Sequence, residues 1–340
     1  MTTPGPGDHA RAPTGPAPAG ERSHANAWRR TFDDHDEQAE CIADLFPQRY
    51  DQLGSGKFLG EMVGVEFDGV RVVRERVNRR LFQAGTVRNF SVAWALDPAA
   101  RYQCDGYELG PERMMVWTPK MEFEVLCDPS EMCVITLSDD ALEEWNGISG
   151  DAVNSDKLRG IRVVPPILAR SIRSVAQDAL AIADGKVHLA AVPGWRDSLR
   201  DELLGLAMTV ADLPGHDEPL PRRCQRTYDR VVQAVRDQIA QDRTGSLTID
   251  ELCRRIGVSR RNLHYAFEAT LGMPPGQFLR TVRLNEVRRA IKRRTTPFAT
   301  VADLASSRGF EHPSHFAADY KRRFGELPSQ TAERTERVQI

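Results

Sequence analysis

Five side chains close together in the C-terminal third, Arg260, Arg261, Asn262, His264 and Tyr265, have the types and spacing of a surface that reads nucleic-acid bases. Leu263 and Phe267, four residues apart, mark the buried face of a helix, and the five polar residues fall on its outer side. A guanidinium can bridge the two acceptor atoms on a guanine edge, and a carboxamide can do the same for adenine. The residues ahead hold that helix in place. Thr248 with Glu251 three positions on forms a capping box, and Leu252 and Ile256 face inward. Gly257 permits the left-handed residue that ends a short helix, and Ser259 caps the next one. A short helix, a glycine turn and a second helix with a polar outer face suit the DNA major groove. The bland alternative is a helical hairpin with a solvated basic face.

Residues 300–325 repeat the layout. Thr300 precedes Val301, Leu304 and Ala305, Gly309-Phe310 makes the turn, and Glu311-His312-Pro313-Ser314 opens a second helix. Phe316, Tyr320 and Phe324 face inward, while Ser314, His315 and Asp319 face out. Lys321, Arg322 and Arg323 near its end suit phosphate contact. His312 and His315 form an H-x-x-H pair, but no cysteine or third histidine lies nearby to complete a zinc site. One helix, about 277–293, joins the two units. A rigid pair could engage two major-groove segments one helical turn, ~34 Å, apart.

The charge divides along the chain. Residues 221–340 hold 23 Lys+Arg and 13 Asp+Glu, a net +10, whereas residues 1–220 carry a net −12. That asymmetry points to a polyanionic partner for the basic part. It also argues against an interaction protein whose two units touch only proteins. Leu213-Pro214-Gly215-His216-Asp217-Glu218-Pro219-Leu220-Pro221 is the best linker candidate.

Ahead of it, residues 57–138 show short apolar runs punctuated by Gly, Pro and Asp, as in Phe67-Asp68-Gly69, which suggest a small antiparallel barrel or sandwich. From Pro165 the period turns helical. Residues 1–25, rich in Pro, Gly and Ala, read as a disordered tail, and 28–53 as mixed and partly helical. No apolar run approaches the ~20 residues of a membrane span, and no secretory signal follows the first Met, so a cytoplasmic location is expected.

Gly309-Phe310, Phe316, Tyr320-Lys321-Arg322-Arg323-Phe324-Gly325 and Pro328-Ser329 resemble the signature of the AraC/XylS family of bacterial transcription regulators, and Leu263, Phe267 and Leu271-Gly272 match its first unit. The resemblance covers about residues 222–333. It implies a regulator, in the main an activator, that binds double-stranded DNA, works with RNA polymerase and answers to a small-molecule effector, with a homodimer among its assemblies. Arg260, Arg261, His264 and Tyr265 would occupy the base-facing positions of the first recognition helix, and Pro313, Ser314, His315 and Ala318 those of the second. Pro313 and Ala318 are poor readers, so the second helix is expected mainly to position the protein on the backbone. Tyr50–Glu61, Phe123-Glu124, Ser259–Leu263 and Arg283–Arg289 are similar to the ethanolamine-operon regulator branch. That similarity implies ethanolamine with adenosylcobalamin as effectors; an unrelated ligand, or none, is the alternative.

No catalytic constellation stands out, and the chain is expected not to be an enzyme; an enzyme fused to a DNA-binding module is the rival. Gly54-Ser55-Gly56-Lys57 departs from a phosphate loop at Asp51 and Phe58. No histidine lies between residues 36 and 187 to form a metal centre, and Cys104, Cys127 and Cys133 read as core thiols rather than nucleophiles. Trp94 and Trp117 with Glu122 and Glu124 could form an aromatic, acidic effector pocket for an amine; core packing with solvated carboxylates is the alternative. The expected architecture is α+β in two domains. A barrel-like, cupin-like sensor at 45–212 with trailing helices is followed by a 213–221 linker and an all-α domain at 222–333 with two helix-turn-helix units. No metal or cofactor is required by this reading.

Overall fold

The computed structural model describes residues 26–149, 158, 160–183, 185, 194–215, 223–242, 245, 247–293 and 300–338. The tail expected at 1–25 and most of the 213–221 linker lie outside these residues.

The N-terminal part runs β1 (Asn26–Phe32), α1 (His35–Glu40), β2 (Gln48–Gln52), β3 (Gly60–Phe67), β4 (Val70–Val77), β5 (Leu81–Thr86), β6 (Phe90–Ala95), β7 (Tyr102–Cys104), β8 (Tyr107–Glu108), β9 (Arg113–Trp117), β10 (Glu122–Cys127), β11 (Ser130–Leu137), α2 (Asp139–Ser149), β12 (Gly160–Val163), α3 (Pro166–Ala183) and α4 (Trp195–Asp212). Asp-Gly pairs close two of its hairpins. Asp68-Gly69 joins β3 to β4 and Asp105-Gly106 joins β7 to β8, all four residues with positive φ, as a two-residue turn between twisted strands requires.

The strands form two antiparallel sheets, β1-β3-β4-β11-β6-β9-β12 and β2-β5-β10-β7-β8. Strand alternation gives the larger sheet two buried faces. Met62, Val73, Ala93, Met115 and Val134 pack against the smaller sheet, while Val63, Val72, Val92, Val116 and Ile135 pack under α3 and α4. The barrel-like, cupin-like expectation is therefore corrected. Among the described residues the sheets share no ladder, and β1 and β12 remain open edges, which makes the domain a sandwich backed by helices. The expected start at residue 45 is also too late. β1 pairs along its whole length with β3, from Asn26↔Glu66 to Phe32↔Gly60.

The C-terminal part runs α5 (Arg223–Gln241), α6 (Ile249–Ile256), α7 (Arg260–Leu271), α8 (Pro275–Arg293), α9 (Val301–Ser307), α10 (Pro313–Phe324) and α11 (Pro328–Val338). Two small cores straddle α8. Leu252, Leu263, Phe267 and Phe278 anchor the first, and Leu304, Phe316, Tyr320 and Phe324 the second. The first core also takes in Leu53, just past β2, with Phe82 and Leu126 of the smaller sheet, so the two parts share buried apolar surface.

Candidate nucleic-acid interface

The first unit is built as its residue types dictate. The Thr248 side chain accepts from the Glu251 backbone N–H, and the Glu251 carboxylate accepts from that of Thr248 at 2.9 Å, completing the capping box. Gly257 ends α6 at φ +69, and the Ser259 hydroxyl accepts from Asn262 N–H at 3.2 Å to start α7. Leu263, Ala266 and Phe267 are buried, which leaves Arg260, Arg261, Asn262, His264 and Tyr265 exposed on one side. Two of these are already engaged within the chain. Arg260 forms a two-pronged ion pair with Asp250 at the start of α6. Arg261 donates to the Tyr265 hydroxyl at 3.1 Å, with its guanidinium 5.4 Å from that ring.

In the second unit Thr300 caps α9, and α10 opens with Pro313 at its first turn, where a missing N–H costs nothing. Ser314, His315, Lys321 and Arg322 are exposed. The His312 and His315 rings lie 5.5 Å apart in an edge-on contact. Asp319, expected to face out, is only 13% exposed and pairs with Arg280 and Arg322. Arg323 was expected to hold phosphate beside Lys321 and Arg322, and here the expectation fails. It is buried, donates to the Leu53 carbonyl and to the Thr281 hydroxyl at 2.9 Å, and burial lowers its pKa to about 10.

Arg323 belongs to a polar seam between the two parts. Gln52 and Asn285 exchange hydrogen bonds at 3.0 and 3.3 Å, and Gln52 also donates to the Arg323 carbonyl at 2.6 Å. Along α8, Arg288 and Lys292 pair with Asp34 at 3.0 and 2.9 Å, and Arg289 pairs with both Asp36 and Asp51 at 2.8 Å. Burial opposes ionisation of Asp34, but the basic side chains of His35, Arg288 and Lys292 outweigh it and hold its carboxyl far below the usual range. His35 is buried, stacked on Phe324 at 6.2 Å and edge-on to Phe58 at 5.9 Å, and burial lowers its pKa. The end of α10 is pressed into this seam. Gly325 has φ +78, and a Cβ there would come within 2.9 Å of the Lys57 backbone nitrogen.

The four side chains expected to line an effector pocket do not converge. Trp94 lies under α3 and α4, whereas Trp117, on the neighbouring strand with opposite parity, lies in the sandwich interior against Phe123 at 5.2 Å. Glu122 and Glu124 instead line a cavity of about 1190 Å³ between the outer face of the smaller sheet and helices α5, α7 and α8. Glu124 pairs there with Arg236, whose guanidinium sits 3.7 Å from the Phe82 ring centroid. Asp105 and Tyr107 share the wall; desolvation, with Glu124 beside it, raises the Asp105 carboxyl to about 6. Cys104, Cys127 and Cys133 are buried in the cores, and burial pushes the Cys133 thiol up to about 12, so the core reading fits all three. Among the described residues no three His, Cys, Asp or Glu side chains are grouped to hold a metal.

Residues 252–334 match a family profile described as a helix-turn-helix domain. The chain is similar to the XylDLEGF operon transcriptional activator 2 of Pseudomonas putida, 32% identical over 104 residues, which are 31% of this chain and 64% of that protein. It is also similar to a probable thc operon regulatory protein of Rhodococcus erythropolis, 31% identical over 100 residues, or 29% of this chain and 30% of that one. A solved probable AraC family transcriptional regulator from Rhodopseudomonas palustris is 35% identical over 31% of this chain and 97% of its own (TM-score 0.29). The C-terminal domain belongs to the AraC/XylS family. The chain spans less than two thirds of the length of these two curated relatives. The AraC-like transcriptional activator CuxR, a solved structure, aligns over 84% of this chain and all of its own at 16% identity (TM-score 0.40).

The seam is what sequence reasoning missed. The acidic run Asp33-Asp34-His35-Asp36-Glu37 and the basic run Arg288-Arg289 are both visible in the chain. Nothing local says that they meet across some 250 residues.

Proposed function

We propose that this chain is a transcription regulator that binds double-stranded DNA through α7 and α10 and is controlled by a small molecule at its N-terminal domain. One observation carries the reading: two helix-turn-helix units, each presenting an exposed polar helix face, are mounted on the single helix α8. Arg260, Arg261, Asn262, His264 and Tyr265 read bases, Ser314 and His315 make secondary contacts, and Lys321 and Arg322 hold phosphate. Arg260 must exchange Asp250 for DNA, which adds a cost to non-cognate sequences that offer no replacement. Similarity to an operon transcriptional activator and to a probable operon regulatory protein supports a regulator over an enzyme; activation, with RNA polymerase as partner, is the form to test first. A homodimer on paired half-sites is the assembly to test. Hydroxyl-radical footprinting on the DNA upstream of the chain's own gene should show two protected segments about one helical turn, ~34 Å, apart on one face. Protection of a single segment would remove α10 from the interface.

The effector reading centres on the cavity between the two parts. A ligand there touches the smaller sheet and α5 at once, so its binding energy can differ between docked and undocked arrangements, as regulation requires. Asp105, Glu122 and Glu124 suit an ammonium group, in keeping with the similarity of residues 50–61 to the ethanolamine-operon branch. Ethanolamine with adenosylcobalamin is therefore the first effector pair to test.

A further inference from the structure

A second crevice, of about 560 Å³, lies between the larger sheet and α3. Its floor is a single cross-strand row. Arg74 on β4 and Trp94 on β6 both stand opposite Cys133 on β11, on the same face of the sheet. Arg173 comes down from α3 on the other side, together with the apolar Ala176 and Leu180. Trp94 is fully buried, its indole N–H out of reach of solvent, so it serves the crevice floor as an apolar ring.

The two arginines leave donors to spare. Arg74 spends one contact on Glu61 at 3.5 Å and Arg173 one on the Pro111 carbonyl at 3.0 Å, out of five N–H groups on each guanidinium. The acidic residue in the lining, Glu131, is already engaged by Arg76 at 3.1 Å. The uncommitted groups of the crevice are thus hydrogen-bond donors and positive charge, set beside hydrocarbon.

We propose that this crevice binds a small monocarboxylate with an apolar body. Its carboxylate lies between Arg74 and Arg173, and its hydrocarbon rests on Leu96, Ala176 and Leu180. Paired N–H donors match a carboxylate in geometry as well as charge. The volume falls within the range of small-molecule sites. An inorganic anion would leave the apolar wall unused, and an amine would meet the two guanidinium groups. The proposal does not rest on the DNA-binding reading, and its test uses no DNA.

Isothermal titration of the full-length chain with hexanoate and phenylacetate tests it, with hexylamine and inorganic phosphate as controls. Both carboxylates should bind saturably at one site and the controls should not. Arg173→Gln should weaken hexanoate at least tenfold. Gln177→Glu, at the exposed edge of the crevice, adds a repelling charge and should weaken it without touching the core. Absence of saturable carboxylate binding overturns the proposal. So does hexylamine or phosphate binding as tightly as hexanoate, or full hexanoate affinity in folded Arg173→Gln and Gln177→Glu proteins.

Discussion

Arg260 and Arg261 stand side by side at the start of α7 yet are held differently, one by the charge of Asp250 and the other by the ring and hydroxyl of Tyr265. If Arg261 reads a base, Arg261→Ala should cost ~1–3 kcal/mol on the specific DNA site and relax preference at one position, as a mutant-site affinity panel would reveal. Equal loss on every sequence would make Arg261 a phosphate contact. Lys321→Ala should weaken all sequences alike and lower the slope of log affinity against log salt by about one. His35 makes a pH prediction. Its buried imidazole has a lowered pKa, so the docked arrangement holds it neutral, whereas an undocked His35 titrates near its ordinary ~6.5. As pH falls below that value the undocked state takes up a proton that the docked state lacks, and docking weakens. Hydrogen exchange at α1 and α10 should therefore speed up at pH 5.5 relative to pH 7.5 beyond the intrinsic pH effect, and His35→Phe should remove the difference. At this scale the outer face of α7 was legible, because its residues answer to local period and capping. The fate of Arg323 was not, since its partners Leu53 and Thr281 come from distant parts of the chain.

Capping chemistry decides where the helices of the two reading units begin and end. Thr248→Ala should remove about 1 kcal/mol of stability by freeing the first backbone donors of α6, measurable as a lower urea midpoint with unchanged slope. Gly325→Ala should be worse than a cap loss, because the left-handed backbone and the Lys57 main chain both oppose a Cβ. Its signature should be loss of docking as well as of α10 stability, and a variant no weaker than Thr248→Ala would contradict the tight seam. The Asp-Gly turn after β3, the period-two strands and both helix-turn-helix units could be read from the chain, since each is a local pattern. Which strands pair could not. Barrel and sandwich have the same alternation, and only long-range ladders such as β1 with β3 and β4 with β11 distinguish them. The effector residues failed for a related reason. Trp94 and Trp117 look equivalent in a list of aromatics, but strand parity sends them to opposite faces of one sheet.

Across the whole molecule the charge asymmetry serves two ends. Some of the basic side chains of the C-terminal part face outward on α7 and α10, while Arg288, Arg289 and Lys292 are consumed by acidic residues of the N-terminal part. Asp34→Ala strands Arg288 with Glu326 as its remaining carboxylate partner, both ion-pair residues being almost fully buried. The cost should fall toward the low end of the ~3–5 kcal/mol expected when a buried pair loses one member, read by chemical denaturation. A loss under about 1 kcal/mol would mean that the seam is solvated and the two parts move independently. The measurement that bears most directly on the central claim is fluorescence-anisotropy binding of the full-length chain to its own upstream DNA across a salt series, with and without ethanolamine plus adenosylcobalamin. The account predicts tight binding that weakens steeply with salt and shifts when the effector fills the cavity between the two parts. Tight, salt-sensitive binding without a shift would keep the regulator and dismiss that effector pair. No salt-sensitive binding to this DNA or to a randomised pool would contradict the account.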